Sequence, residues 1–229
     1  MTDVQDRSLG DLVTANSAAA RILERHGLDY CCNGGRTLGD ACASAGVDAA
    51  VVTADLDALD VTDDTTWTAL DPPALAEHIV ATHHRYLWEE LPLLDALAAK
   101  VEAAHGKRHR ELAKIRRLVA DLRADLEPHL LKEERVLFPA ITALANGLTD
   151  LPFGSVAQPI HMMVIGHDRA GELLALLRMA TDGYRVPADG CASYRSLYER
   201  LSALEFDTHV HIHKENHVLF PAALRLAGF

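Results

Sequence analysis

Apolar residues recur every three or four positions through most of this chain, and no stretch shows the strict alternation of a half-buried strand. Near the start, Leu12, Val13, Ile22 and Leu23 give one face to a helix over 9–26, which Gly27 closes as a C-terminal cap. The next segment, Asp29-Tyr30-Cys31-Cys32-Asn33-Gly34-Gly35, is rich in turn formers. Thr37 caps a second short helix that runs through Cys42, and 47–59 reads as a third, weakly patterned one. A polar stretch holding Asp63-Asp64-Thr65-Thr66 and Pro72-Pro73 marks a linker over 61–73, between a small helical domain (1–60) and a larger domain (74–229). In the larger domain four long helical patterns cover 74–105, 109–145, 158–181 and 191–226, and the breaks between them carry Gly or Pro. Short connections make long helices antiparallel neighbours. The pattern therefore predicts an all-α protein, an up-down-up-down four-helix bundle preceded by a small helical domain.

The bundle also repeats itself. The twelve residues from His129 to Ala140 and the twelve from His211 to Ala222 agree at eight positions, 82 residues apart, sharing His, Lys, Glu and the run Val-Leu-Phe-Pro-Ala. A weaker echo lies in the preceding helices, where His84 stands five residues before Glu89 and His167 five before Glu172. Two similar helical hairpins related by a pseudo-two-fold axis are the expected arrangement.

Charge narrows the partners. With 33 acidic against 22 basic residues the formal charge is −11, which excludes nucleic acid or an anionic membrane as the main partner. No run approaches a membrane span, and the first 30 residues lack the form of a signal peptide, so a cytoplasmic protein is expected. Four cysteines, Cys31, Cys32, Cys42 and Cys191, do not make a disulfide framework in a chain this long. The unusual count is 13 histidines.

Ligand spacing decides which histidines matter. His129 and Glu133, and again His211 and Glu215, stand four apart and so share one helix face. A single His-x-x-x-Glu is ordinarily a solvent-facing pair; its doubling inside a repeat, with Phe-Pro downstream each time, points to metal. His84 and His167 add one imidazole each from the other two helices. Paired carboxylates and histidines projecting from facing helices are how bundles hold two iron or manganese ions.

Helix rise then fixes the level of the cluster. His84 lies 21 residues before His105 and His129 lies 24 after it, so His84 and His129 meet at one height in an antiparallel pair. A straight helix puts His105 about 30 Å from His84, outside the cluster. His83, His109, His161, His209, His213 and His217 read as surface residues or neighbours of the ligands, and Met162 and Met163 as core packing.

Two ions with about six positions each offer about twelve; two bridging carboxylates, four histidines and one oxo or hydroxo bridge leave about two open. Iron is preferred over manganese, and zinc has no need of a shared carboxylate pair. Open positions admit a small ligand such as dioxygen or nitric oxide, or let the metal leave.

The pattern of His84, His129-x-x-x-Glu133, His167-Asp168 and His211-x-x-x-Glu215 resembles the hemerythrin-like cation-binding domain. The Asp29-Tyr30-Cys31-Cys32-x-Gly-Gly segment resembles the small N-terminal domain of the Repair of Iron Centers family. That resemblance implies an oxo- or hydroxo-bridged di-iron protein that helps restore iron–sulfur clusters damaged by nitric oxide or peroxide, with damaged cluster proteins or cluster-assembly proteins as partners and a monomer or homodimer as the working form. It makes Glu133 and Glu215 the bridging carboxylates and His84, His129, His167 and His211 the terminal ligands. His105 falls where family members have a histidine sometimes counted with the site, and Gly166 stands where they commonly have Glu. Cys31 and Cys32 read as a redox or iron-transfer pair, their thiols activated by a helix N-terminus. Rival readings of the same metals are an oxygen-binding or oxygen-sensing module, or an enzyme of the nitric oxide reductase or peroxidase type; the cysteine pair favours repair.

Overall fold

The computed structural model describes residues 3–59, 66–148 and 150–229; the expected linker over 61–73 lies partly outside them. No β-strand occurs among the described residues, and none of their helices is long and apolar enough to cross a membrane. The chain divides into two compact units, Met1–His78 with His209–Phe229, and Ile79–Thr208.

The second unit holds the bundle. Its helices are α6 (Arg85–His105), α7 (Glu111–Lys132), α8 (Phe138–Ala145), α9 (Ala157–Ala180) and the first part of α10 (Ala192–Lys214). Each long helix buries one stripe: Leu87, Leu91, Leu94, Ala98 and Val101 on α6, and Leu112, Ile115, Val119, Leu122 and Leu126 on α7. The spacing of three and four turns these residues onto one face, and α6 packs against α7 and α7 against α9. Charged clamps join α10 to the rest: Arg200 donates to Glu90 of α6 through Nε and Nη2 at 2.6 and 2.8 Å, and Arg178 of α9 to buried Glu205 at 2.5 and 3.0 Å. Paired guanidinium–carboxylate bonds fix rotation as well as distance.

In the first unit are α1 (Leu9–Ala15), α2 (Ala19–Arg25), α3 (Leu38–Ala45), α4 (Ala49–Asp57), α5 (Pro72–Ile79, but for its last residue), the end of α10 and α11 (Phe220–Leu226). The single helix expected over 9–26 is two, because Asn16 adopts an extended conformation and its side chain accepts the N–H of Ala18 at 3.1 Å. Thr37 caps α3 as expected, accepting the N–H of Asp40 at 3.1 Å, and Gly27 ends α2 with φ +68°. Residues 66–69 of the expected linker form a 3₁₀ turn that buries Trp67.

Among the described residues three turns widen from α to π geometry. Val80–His84, Glu133–Leu137 and Glu215–Leu219 are π turns, closed by bonds from the N–H of Arg85, Phe138 and Phe220 to carbonyls five residues back. Proline explains two of them: Pro139 and Pro221 have no N–H and crowd the carbonyl four residues earlier, which opens the α ladder in the preceding turn.

Packing in the first unit is tightest at Gly34, where an added Cβ would stand 2.1 Å from the Tyr30 carbonyl and 2.4 Å from His217 Nε2; at neighbouring Gly35 it would meet nothing. Gly34→Ala is therefore expected to destabilise the protein by about 2 kcal/mol or more, the cost of overpacking, and Gly35→Ala by far less. Thermal melts of the two variants check this; equal melting temperatures would refute the packing.

Candidate metal centre

The ligand candidates sit where the core stripes continue. On α7 the series of buried Leu122 and Leu126 runs on to His129 and Leu130; on α9 Ile160 and Met163 lead to His167 and Ala170. Imidazoles thus replace aliphatic side chains on the inward faces. In the second unit His84, His129, Glu133 and His167 are all buried. Glu133 Oε1 lies 3.0 Å from His129 Nε2 and 3.8 Å from His167 Nε2, while its Oε2 lies 3.5 Å from His84 Nε2. The two nitrogens of His129 and His167 face each other at 3.1 Å.

That geometry fits a cation. Two facing imidazole nitrogens can share at most one proton, so one lone pair or both remain directed into a space already bordered by a carboxylate oxygen. His129, Glu133 and His167 offer ligand atoms all within 4.8 Å of one another. The donors are nitrogen and oxygen without sulfur, a set that suits iron or manganese. In the first unit His211 and Glu215 are likewise buried, with His211 Nε2 3.0 Å from Glu215 Oε1.

Supporting residues were not legible from ligand spacing. His84 Nδ1 lies 3.0 Å from Glu134 Oε1, which also accepts from Trp88 Nε1 at 2.9 Å, and the ring stacks on Phe138 with centroids 5.5 Å apart. A carboxylate on Nδ1 fixes the tautomer and leaves Nε2 to face Glu133. The signal was present in the repeat: Glu134 is one of the positions where the two copies differ.

His105 is placed elsewhere, its Nε2 3.1 Å from Cys191 Sγ and its ring edge-on to Tyr194 at the start of α10. Two histidines expected near the surface or the ligands are deeply buried: His83 lies 2.9 Å from Asp207, and His213 sits edge-on to both Tyr30 and Trp67, its pKa pushed down to about 3 mainly by burial. Met162, expected in the core, is exposed, whereas Met163 is buried.

The cysteine pair lies in the first unit. Asp29 Oδ1 accepts the N–H groups of Cys31 at 3.1 Å and Cys32 at 2.9 Å, and Asn33 donates to Oδ2 at 2.7 Å. Partial desolvation of its oxygens works against the charge of Asp29, an exposed residue, but these bonds hold its pKa below the usual value. The expectation of an activated thiol fails for Cys31. Its bond to Cys32, its burial and the Asp29 charge push its pKa well above the ordinary value. The segment precedes no helix closely enough to offset them, since α3 begins only at Leu38.

The Cys31 carbonyl is held by Asn216 Nδ2 at 3.2 Å and His217 Nε2 at 3.0 Å, both within the π turn that begins at Glu215. Here again the repeat diverges: Asn216 and His217 replace Glu134 and Arg135, and His213, which replaces Leu131, lies 3.2 Å from Thr14 Oγ1.

An all-α bundle with buried histidines and glutamates at its core defines a hemerythrin-like protein, and the hemerythrin HHE cation binding domain matches residues 75–223. A second match, to a domain of unknown function (DUF542), covers residues 5–60. The iron–sulfur cluster repair protein YtfE of Enterobacter sp. (strain 638) is 33% identical over 96% of this chain and 97% of its own length. Proteins of that name from Cronobacter sakazakii and Escherichia coli O17:K52:H18 are 34% and 32% identical over the same shares. The chain belongs to the Repair of Iron Centers family.

Gly166 generates the first test of the site. A Cβ there would stand 2.6 Å from His129 Nδ1, so any side chain displaces the ring. Gly166→Ala is expected to weaken iron retention about tenfold or more, the scale of losing a residue that supports a ligand. Iron per chain measured after dialysis against a chelator reads the effect, and retention equal to the parent protein would show that His129 does not need this space.

Proposed function

We propose that this protein is a non-haem di-iron protein that restores iron–sulfur clusters damaged by nitric oxide or oxidants, by giving up iron. The observation that carries the reading is the buried Glu133 carboxylate bordered by three imidazoles, in a chain whose relatives are named for iron–sulfur cluster repair. On this reading His84, His129, Glu133, His167, His211 and Glu215 are the residues that would hold the iron, the two glutamates as shared carboxylates and the histidines as terminal donors. Such a pair of ions supplies open positions for nitric oxide or dioxygen and a store of iron that can leave.

The chain's own residues set the terms of release. Glu134 and Trp88 hold His84 in the tautomer whose Nε2 faces Glu133. Protonation of a ligand histidine or carboxylate competes with metal, so acid favours release. Nitrogen and oxygen donors hold iron less firmly than the sulfide and thiolates of a cluster, which gives transfer its direction.

Protein purified from iron-replete cells should contain about two iron atoms per chain; one zinc and no iron would refute the centre. Glu133→Ala and Glu215→Ala should each lose most of this iron, because each removes a bridge, while His105→Ala keeps it. Equal loss in all three variants would overturn the ligand assignment. Reactivation of a nitric-oxide-damaged iron–sulfur enzyme by the loaded protein, accompanied by matching loss of its iron, tests repair by donation. Reactivation without iron loss would refute donation.

A further inference from the structure

The cysteine segment brings three ligand atoms together on four residues of chain, Asp29 to Cys32. Asp29, Cys31 and Cys32 offer donor atoms within 4.8 Å of one another. Cys31 Sγ lies 3.7 Å from Cys32 Sγ and 3.3 Å from Asp29 Oδ1. Two thiolates on one tetrahedral ion, with metal–sulfur bonds of about 2.3 Å, stand about 3.8 Å apart. Side chains of adjacent residues ordinarily diverge; here they converge because both backbone N–H groups turn toward the Asp29 carboxylate. The geometry points to Asp29, Cys31 and Cys32 as a three-donor site for a borderline divalent cation such as ferrous iron, zinc or cobalt, with a fourth position left to solvent or to a recipient.

Its donors are of a different kind from those of the histidine–glutamate centre, sulfur against nitrogen and oxygen, so the two differ in what they hold firmly. The loop needs little ordering on binding. The Cys31 carbonyl is already held by Asn216 and His217, and Gly34 lies flush against the His217 ring, where no larger residue fits. His217 is thus a positioning residue, which acts on the thiols through the backbone of Cys31.

Occupancy involves no redox change. One divalent cation forms two metal–sulfur bonds and one metal–oxygen bond, the two S–H bonds break, and two protons pass to solvent. The inference extends the iron-donation reading by naming where departing iron is taken up, but the site itself is testable apart from repair.

Cobalt(II) is the probe, added anaerobically to the reduced, metal-free full chain. A sulfur-to-cobalt charge-transfer band in the near ultraviolet reports thiolate ligation, and the histidine–glutamate centre cannot produce it, having no sulfur. The band is expected in the parent protein and in Cys191→Ser, and is expected to vanish in Cys31→Ser and in Cys32→Ser, with helical circular dichroism unchanged. Asp29→Asn should keep the band with affinity about tenfold weaker. His217→Ala should weaken it similarly and His217→Gln, which can still donate to the carbonyl, should restore it. No band in the parent protein, or a band that survives both serine substitutions, overturns the site; unchanged affinity in Asp29→Asn overturns the carboxylate's part. A band together with failed reactivation of a damaged cluster would leave the site standing and refute the donation reading.

Discussion

A carboxylate cannot be left alone in a dry core, and much of this structure is arranged around that constraint. Glu133 is fully buried, and an unpaired ion there would cost several kcal/mol. Imidazoles from three segments surround it, so the π turn that ends at His84, α7 and α9 must all present their histidines at one level. Each histidine in turn needs support: Glu134 and Trp88 fix His84, and Gly166 leaves room for His129. Neutral imidazoles compensate a carboxylate partly, and a cation does so far better. The same burial repeats at Glu215, whose Oε1 lies 3.0 Å from His211 Nε2. Two carboxyl groups kept in the interior are difficult to explain as fold stabilisers, since well-packed apolar residues would serve at least as well.

The four long helices and their inward stripes were legible because periodicity reports a face directly, and the repeat singled out His129, Glu133, His211 and Glu215 among 13 histidines and 33 acids. The π turns were not. A Phe-Pro dipeptide inside a helical pattern signals a disturbed ladder, but kink, break and π turn are all compatible with it. The break in 9–26 is not legible because nothing in the apolar pattern marks Asn16, whose extended backbone and side-chain bond to the Ala18 N–H no periodicity shows. Burial of His83 and His213 was hidden for a similar reason: each depends on partners distant in sequence, Asp207 for one and Tyr30 and Trp67 for the other.

The acidity of Cys31 shows how a local motif misleads. Neighbouring thiols in a Gly-rich turn suggest activation when a helix N-terminus is near. In the structure the nearest charge is a carboxylate two residues away, and burial acts in the same direction. The bond to Cys32, burial and the carboxylate all oppose a thiolate, and a cation lying among the three groups would offset them, since a positive charge favours the ionised form of each.

The differences between the two repeat copies carry as much information as their agreement. Of the twelve aligned positions the copies differ at four, Leu130/Ile212, Leu131/His213, Glu134/Asn216 and Arg135/His217. In the first copy Glu134 steadies a histidine beside the buried carboxylate; in the second, Asn216 and His217 grip the carbonyl of Cys31, and His213 packs against Tyr30. Duplication accounts for two equivalent His-Glu pairs, and divergence of the residues beside them has given one pair a neighbour made of sulfur. Because the grip lies in the π turn that starts at Glu215, a change in that turn's hydrogen bonding reaches the cysteine backbone through two hydrogen bonds. An α turn at that point would rotate Asn216 and His217 relative to Glu215 and spoil one partnership or the other. Pro221, by denying its turn an N–H, is what keeps both.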